Sequence, residues 1–300
     1  MQLLLILVLG LLSCIVSASP LPTNDEKRDD DSYEKIYETA EEMFPGVWWH
    51  SARRTCSEEQ FRALYDATSS AIGLINGMEG EVYGDEDVGL SPAWNKFFMD
   101  GRTWQAQYPE ELSSMLGLYN QTKFFIENGR TEKKNKAKRQ HRLAYVCGDE
   151  TGYGTCENKP KTKAYVPTIP TKLENCEQCF SVAFCDPFFK SKPVVEIIDG
   201  AHWQEKDLND PQLVSREHSL FHEWMHVDLM GQDWHISDLK NRDVKGDGFK
   251  HSVYGADLCS DYAWKHAAEG KVNYEIRENA DNYAWVLSYT YYNAVFGWGI

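Results

Sequence analysis

The stretch DPQLVSREHSLFHEWMHVDLMG, running from Asp210 to Gly231, decides how the rest of the chain is read. Asp210 followed by Pro211 has the chemistry of a helix start, an oxygen cap and then a residue with no N–H to lose, and Gly231 is a fitting stop. Inside this predicted helix lie His222, Glu223 and His226. Residues four apart on a helix stand about 40° from eclipsed and roughly 6 Å apart along the axis, so both imidazoles can reach one ion from the same face. Glu223, beside the first of them, is positioned to take a proton from a water molecule that such an ion activates. A histidine pair without a neighbouring carboxylate would suggest a chance surface pattern; this pair with this carboxylate suggests a metal site. His218 lies one further turn upstream, about 12 Å from His226 along the axis, and is read as a neighbour rather than a ligand.

Outward from the motif, Ser57 to Gly77 places Phe61, Leu64, Ala67, Ala71 and Leu74 at steps of three and four, which predicts an amphipathic helix. Tyr108 to Glu127 repeats the pattern. Ala256 to Ala268 and Glu278 to Val295 are further helices, the latter with Ala280, Ala284, Leu287 and Tyr291 on one face. The middle differs: Leu143 to Cys147, Ala164 to Val166 and Val182 to Phe184 are short β-prone runs separated by Gly, Pro, Asn and Asp. The expected class is therefore α+β, mostly helical, with a small β-sheet packed on the motif helix.

The chain of 300 residues opens with an apolar run from Leu3 to Val16 and small residues at Ser17 and Ala18, the pattern of a signal peptide over 1–18. Residues 19–32 are too polar to order themselves and read as a disordered leader, with Lys27-Arg28 as a possible processing pair. One domain, 33–300, follows. Export makes disulfides the expected use of Cys56, Cys147, Cys156, Cys176, Cys179, Cys185 and Cys259, an odd set that leaves one thiol over. Cys147 and Cys156, separated by glycines, are placed to close a hairpin-like loop, and Asn120-Gln121-Thr122 is a glycan acceptor sequence. A net charge of -15 disfavours nucleic acid and anionic membrane as partners, leaving protein or peptide substrates and a monomer as the expectation. The basic run from Lys133 to Arg139 reads as a solvated loop or helix face. Asp243-x-Lys245-x-Asp247-Gly248 imitates a calcium loop, but a lysine at a ligand position and Tyr254 in place of the closing glutamate argue for a polar turn.

The ordered set His222-Glu223-x-x-His226, Tyr254-Gly255 and Asn279-Ala280-Asp281-Asn282-Tyr283 resembles the deuterolysin-like, aspzincin-related fungal secreted zinc metalloendopeptidases. The resemblance covers roughly 210–296, with a vaguer likeness around Cys147, Cys156 and Cys185-Asp186-Pro187-Phe188-Phe189. It implies a zincin-like fold, a secreted zinc-dependent endopeptidase with Glu223 as general base, and Tyr254 supporting the oxyanion. That family carries Asp-x-x-Tyr-Gly, whose aspartate is the third ligand; here the stretch is His251-Ser252-Val253-Tyr254-Gly255. The resemblance thus implies zinc on His222, His226 and His251, with His235 and Asp281 in reserve. Glu275 and Glu278 stand on a later helix without a distinctive context. The other function these residues allow is a secreted zinc-capturing surface protein that cuts nothing.

Overall fold

The computed structural model describes residues 32–82, 91–134, 137–149, 154–167, 171–173, 176–199, 202–228, 234–241 and 251–298. The signal peptide, the leader up to residue 31, Gly231 and the calcium-like stretch from Asp243 to Gly248 lie outside them. Among the described residues no helix is long and apolar enough to cross a membrane.

The sheet is small, and its strands are labelled β1 (Val47–Trp48), β2 (Leu143–Cys147), β3 (Ala164–Tyr165), β4 (Thr171–Leu173) and β5 (Cys176–Phe184). β2 is central and runs parallel to β1 and β5, while β3 and β4 lie antiparallel against β5. All five residues of β2 are buried. That explains its unbroken apolar sequence, since a parallel strand covered on both faces has no solvent side on which to alternate.

Six helices frame the site: α1 (Glu58–Val82), α2 (Pro92–Phe98), α3 (Pro109–Asn128), α4 (Arg216–Met225), α5 (Ala256–Ala263) and α6 (Ala280–Phe296). Phe61, Leu64, Ala67, Ala71 and Leu74 of α1 are all buried, as the spacing predicts. α6 goes beyond expectation. Every residue from Ala280 through Thr290 is buried, so its front half is an interior helix rather than one with a single covered face. The amides at its entry are paired, Asn279 Nδ2 donating to Asn282 Oδ1 at 2.6 Å and Asn282 Nδ2 to Cys259 O at 3.2 Å, while Thr290 Oγ1 is buried without a partner.

The sheet meets α4 at Tyr145, whose hydroxyl accepts from Trp224 Nε1 at 2.9 Å and from Thr68 Oγ1 of α1 at 3.4 Å. One buried phenol in β2 therefore fixes the sheet against two helices. At the entry to β1, Gly46 donates to Ile126 O at 2.9 Å, and its own carbonyl accepts from Leu143 N at 2.8 Å. A Cβ there would stand 1.9 Å from Phe125 O, so this close approach of strand and α3 admits only glycine.

Several local expectations need correction. Asp210 does cap with its side chain, accepting from Gln212 N at 2.9 Å, but it opens only the 3₁₀ turn Pro211–Leu213. The motif helix itself begins at Arg216, capped by Ser215 Oγ on His218 N at 3.0 Å, and His226 occupies its C-cap. Cys147 pairs with Cys56 and Cys156 with Cys185, not with each other, because the end of β2 lies beside the helix Trp49–Thr55 that precedes Cys56. Cys259 is buried and free, while the side chains of Cys176 and Cys179 lie outside the described residues. The described residues of the basic run are strand and not helix: Arg130–Lys134 and Ala137–His141 pair antiparallel. Asn120 of the glycan acceptor sequence is exposed on α3, with Thr122 buried beneath it.

Candidate metal centre

α4 carries its histidines on the face turned toward α6. His226, at the helix end, presents Nδ1 to Ile236 O at 3.0 Å; the carbonyl can only accept, so the proton sits on Nδ1 and the lone pair on Nε2. His222 Nδ1 lies 3.2 Å from Asp281 Oδ1 but out of hydrogen-bond alignment, so it is the charge of the carboxylate that favours a proton on that nitrogen. The two Nε2 atoms face each other at 3.2 Å. Asp238 closes the figure, with Oδ1 at 3.2 Å from His222 Nε2 and 3.2 Å from His226 Nε2.

Three donor atoms thus form a triangle with near-equal sides. A tetrahedral set at the usual zinc–nitrogen distance of about 2.0–2.1 Å has edges of about 3.3 Å. Asp238 Oδ1 is buried and lies in hydrogen-bond alignment with neither imidazole, although both are close. Lone pairs that converge on a common centre, instead of lying along N–H···O lines, are what a metal requires. His222, His226 and Asp238 could therefore hold a metal ion. Without one, the facing carboxylates outweigh the lowering effect of burial and raise both imidazole pKa values. Burial raises Asp238 in turn, but the two facing imidazoles hold it well below the usual carboxylate range.

Asp281, in the first turn of α6, ties the surrounding shell together. Its Oδ1 also faces His218 Nε2 at 3.3 Å, while Oδ2 accepts from Gly255 N at 2.7 Å and Trp285 Nε1 at 3.1 Å. Burial would raise its carboxyl, yet the bonds to His218 and His222 hold it far below the usual range. His218 is buried, its pKa lowered by desolvation, with Nδ1 at 3.0 Å from Ser288 Oγ and its ring edge-on to Trp285. It supports the shell from below, as its helical position predicts. Gly255 reaches Asp281 from a backbone at φ +84°, a conformation that suits glycine, and so places Tyr254 against the site. The Tyr254 ring lies 5.5 Å from that of His222, and burial together with the nearby Asp238 charge raises the pKa of its hydroxyl.

Glu223 is buried beside the triangle, where the backbone N–H of Val166, just beyond β3, favours its charged form. Desolvation raises its carboxyl pKa, against the opposing charges of His222 and His226.

The structure brings His222, His226 and Glu223 together as the sequence predicts and adds Asp238, which sequence reasoning missed. Asp238 sits twelve residues past His226 in an irregular segment pinned by backbone bonds, Ser237 N to Glu278 O at 2.8 Å and Ala280 N to Ser237 O at 3.1 Å. His251 lies in the two-residue strand His251–Ser252, paired in register with Asn241, and its side chain lies outside the described residues. Asp281 faces the Nδ1 side of His222, away from the triangle. His235 is exposed and pairs with Asp228 at 2.9 Å. Glu275 accepts from Tyr262, and Glu278 pairs with Arg277. Asp281, His235, Glu275 and Glu278 do not belong to the group.

The sequence matches no protein-family model and no curated protein.

Proposed function

We propose that this protein is an exported zinc-dependent endopeptidase with a zincin-like arrangement of helix and sheet, its zinc held by His222, His226 and Asp238. The observation that carries this is Glu223, a buried carboxylate held beside three converging donor atoms. Metal capture alone has no use for a proton acceptor at that place. Two imidazoles and one carboxylate make a three-ligand protein set of the kind that leaves a position open for chemistry, and zinc suits such N/O donors. When bound, the ion supplies a Lewis acid that polarises a peptide carbonyl and makes a nearby water acidic enough to attack near neutral pH.

The chain's own residues do the rest. Glu223 accepts the proton of the attacking water and returns it to the leaving amine nitrogen. Tyr254, partly exposed at the rim of the site, has a protonated hydroxyl that can donate to a developing oxyanion. Asp281 and Ile236 O orient the two imidazoles. Two disulfides agree with an oxidising destination.

Zinc content by elemental analysis and casein cleavage, measured on the wild type and on Glu223→Gln, test this directly. The expected result is one zinc in each and a loss of cleavage in the variant of about 10²-fold or more. Zinc in both with cleavage in neither makes zinc capture the function; zinc in neither removes the metal site.

A further inference from the structure

α3 keeps a hydroxyl where the finished fold has no use for one. Thr122 is fully buried, and its Oγ1 has no hydrogen-bond partner among the described residues. An interior hydroxyl left unpaired costs stability, and valine would fill the same shape without that cost. Two residues earlier, Asn120 is exposed. One turn further on, Phe124 is 64% exposed, more than any other large apolar side chain of the described residues. Asn120-Gln121-Thr122 is also the only Asn-x-Ser/Thr sequence in the chain.

Helical residues turn by about 100° each, so Asn120 and Thr122 stand about 200° apart, one toward solvent and one in the core. An Asn-x-Thr acceptor needs its amide and its hydroxyl together in one enzyme site. The folded helix offers them on opposite sides, with the hydroxyl enclosed. An extended chain offers them on the same side, because residues two apart then line one face. Asn120 and Phe124, by contrast, share a face of the helix, with Cβ atoms about 6 Å apart. An aromatic side chain on a helix leans back over the preceding turn, which here is the turn of Asn120.

We infer that Asn120 is N-glycosylated while this segment is still unfolded, and that the first sugar of the glycan comes to rest on Phe124 once α3 has formed. The donor is an oligosaccharide linked to a lipid pyrophosphate. Asn120 Nδ2 attacks C1 of its first sugar; the C1–N bond forms and the C1–O bond to phosphate breaks. The electron pair leaves on the lipid pyrophosphate, and one amide proton passes to a base of the transferase. Thr122 Oγ1 serves this transfer and is afterwards buried without a partner. The apolar face of the sugar and the exposed ring then shield each other from water. This assignment rests on the export proposed above and is independent of the metal centre.

Cell-free translation with microsomal membranes tests the acceptor. Full-length chains led by residues 1–18 and chains led by an unrelated signal peptide are made side by side. Each is expected to show one band shift that an endoglycosidase reverses. The shift is lost in Asn120→Gln and in Thr122→Val and kept in Thr122→Ser. No shift under the unrelated signal, or a shift that survives Asn120→Gln, overturns the acceptor. A shift only under the unrelated signal sinks export, and with it the modification of the natural chain, while zinc content and casein cleavage judge the peptidase separately. Unglycosylated Thr122→Val protein from bacteria is expected to melt no lower than unglycosylated wild type; a lower midpoint gives the hydroxyl a structural use and overturns the argument from it. The timing is read by offering solubilised transferase and its lipid-linked donor to folded, unglycosylated protein and to a synthetic peptide of residues 116–128. The peptide is modified and the folded protein is not; comparable modification of both overturns the order of events. Enzymatic removal of the glycan is expected to lower the melting temperature of the wild type more than that of Phe124→Ser. No change in the wild type, or the same change in both, overturns the contact with Phe124.

Discussion

Replacing Asp238 by alanine is the sharpest perturbation of the proposed centre, because Asp238 and His251 make opposite predictions. Asp238 Oδ1 forms two of the three sides of the donor triangle. Protein-held structural zinc is worth about 10–16 kcal/mol shared over four donors, so one ligand carries about 2.5–4 kcal/mol, and its loss weakens binding roughly 10²- to 10³-fold. His226 keeps its bond to Ile236 O and His222 its neighbouring Asp281 carboxylate in the variant, so the remaining donors stay in place. Zinc affinity is measured by competition with a chromogenic chelator at near-neutral pH, and melting of the metal-free form shows that the variant is folded. His251→Ala is titrated beside it and is expected to lose less than the roughly 10- to 100-fold typical of removing a residue that orients a ligand. An Asp238→Ala protein that holds zinc like the wild type, with His251→Ala losing it by the larger factor, refutes Asp238 as the third ligand and restores the histidine.

Two further predictions concern the scaffold. Glu217 of α4 is buried, with Oε1 unpartnered and Oε2 accepting from Val194 N at 2.9 Å, and desolvation raises its carboxyl pKa. A raised folded-state pKa gives stability that is fully present below the ordinary glutamate range and is lost as pH rises through the folded value. Glu217→Gln is therefore expected to melt higher relative to the wild type at neutral than at acidic pH; a difference that does not vary with pH refutes this. Gly46→Ala drives a methyl into Phe125 O, and the lost stability should reach or exceed the roughly 1–3 kcal/mol typical of overpacking, read from the midpoint of chemical denaturation. An unchanged midpoint means that the strand can retreat from α3.

The strongly periodic parts of the chain were legible because local pattern and final environment agree. α1 buries the residues its spacing selects, and β2 is buried on both faces as its apolar run requires. His222, Glu223 and His226 were legible for the same reason, since helical spacing alone brings them to one place. Asp238 was not. It belongs to no repeating element and reaches the site only because Ser237 is bonded to the chain around Asn279, a pairing across some forty residues that no local pattern encodes. The one available signal was chemical: a relative pattern with an aspartate ligand, and a chain whose matching position held histidine instead. The helix start was misread because the chain presents two capping sequences in succession, at Asp210 and at Ser215, and only the second leads into a continuous helix. The depth of α6 was hidden because Asp281 and Asn282 look like surface residues until their buried partners are known.

The anchoring of the segment between Asp238 and Tyr254 bears on how this protein can diverge. One end is bonded at Ser237 to the entry of α6, the other at Gly255 to the Asp281 carboxylate, and Lys240–Asn241 pairs with His251–Ser252 between them. Both functional ends thus take their positions from the helix core and not from the length of chain that joins them. Changes of chain length between residues 242 and 250 should cost the site little, since joining two fixed ends grows only slowly more costly with chain length. Descendants can then vary that stretch freely while keeping the same donors in register, and a fixed residue count between histidine and tyrosine is a poor criterion for recognising them.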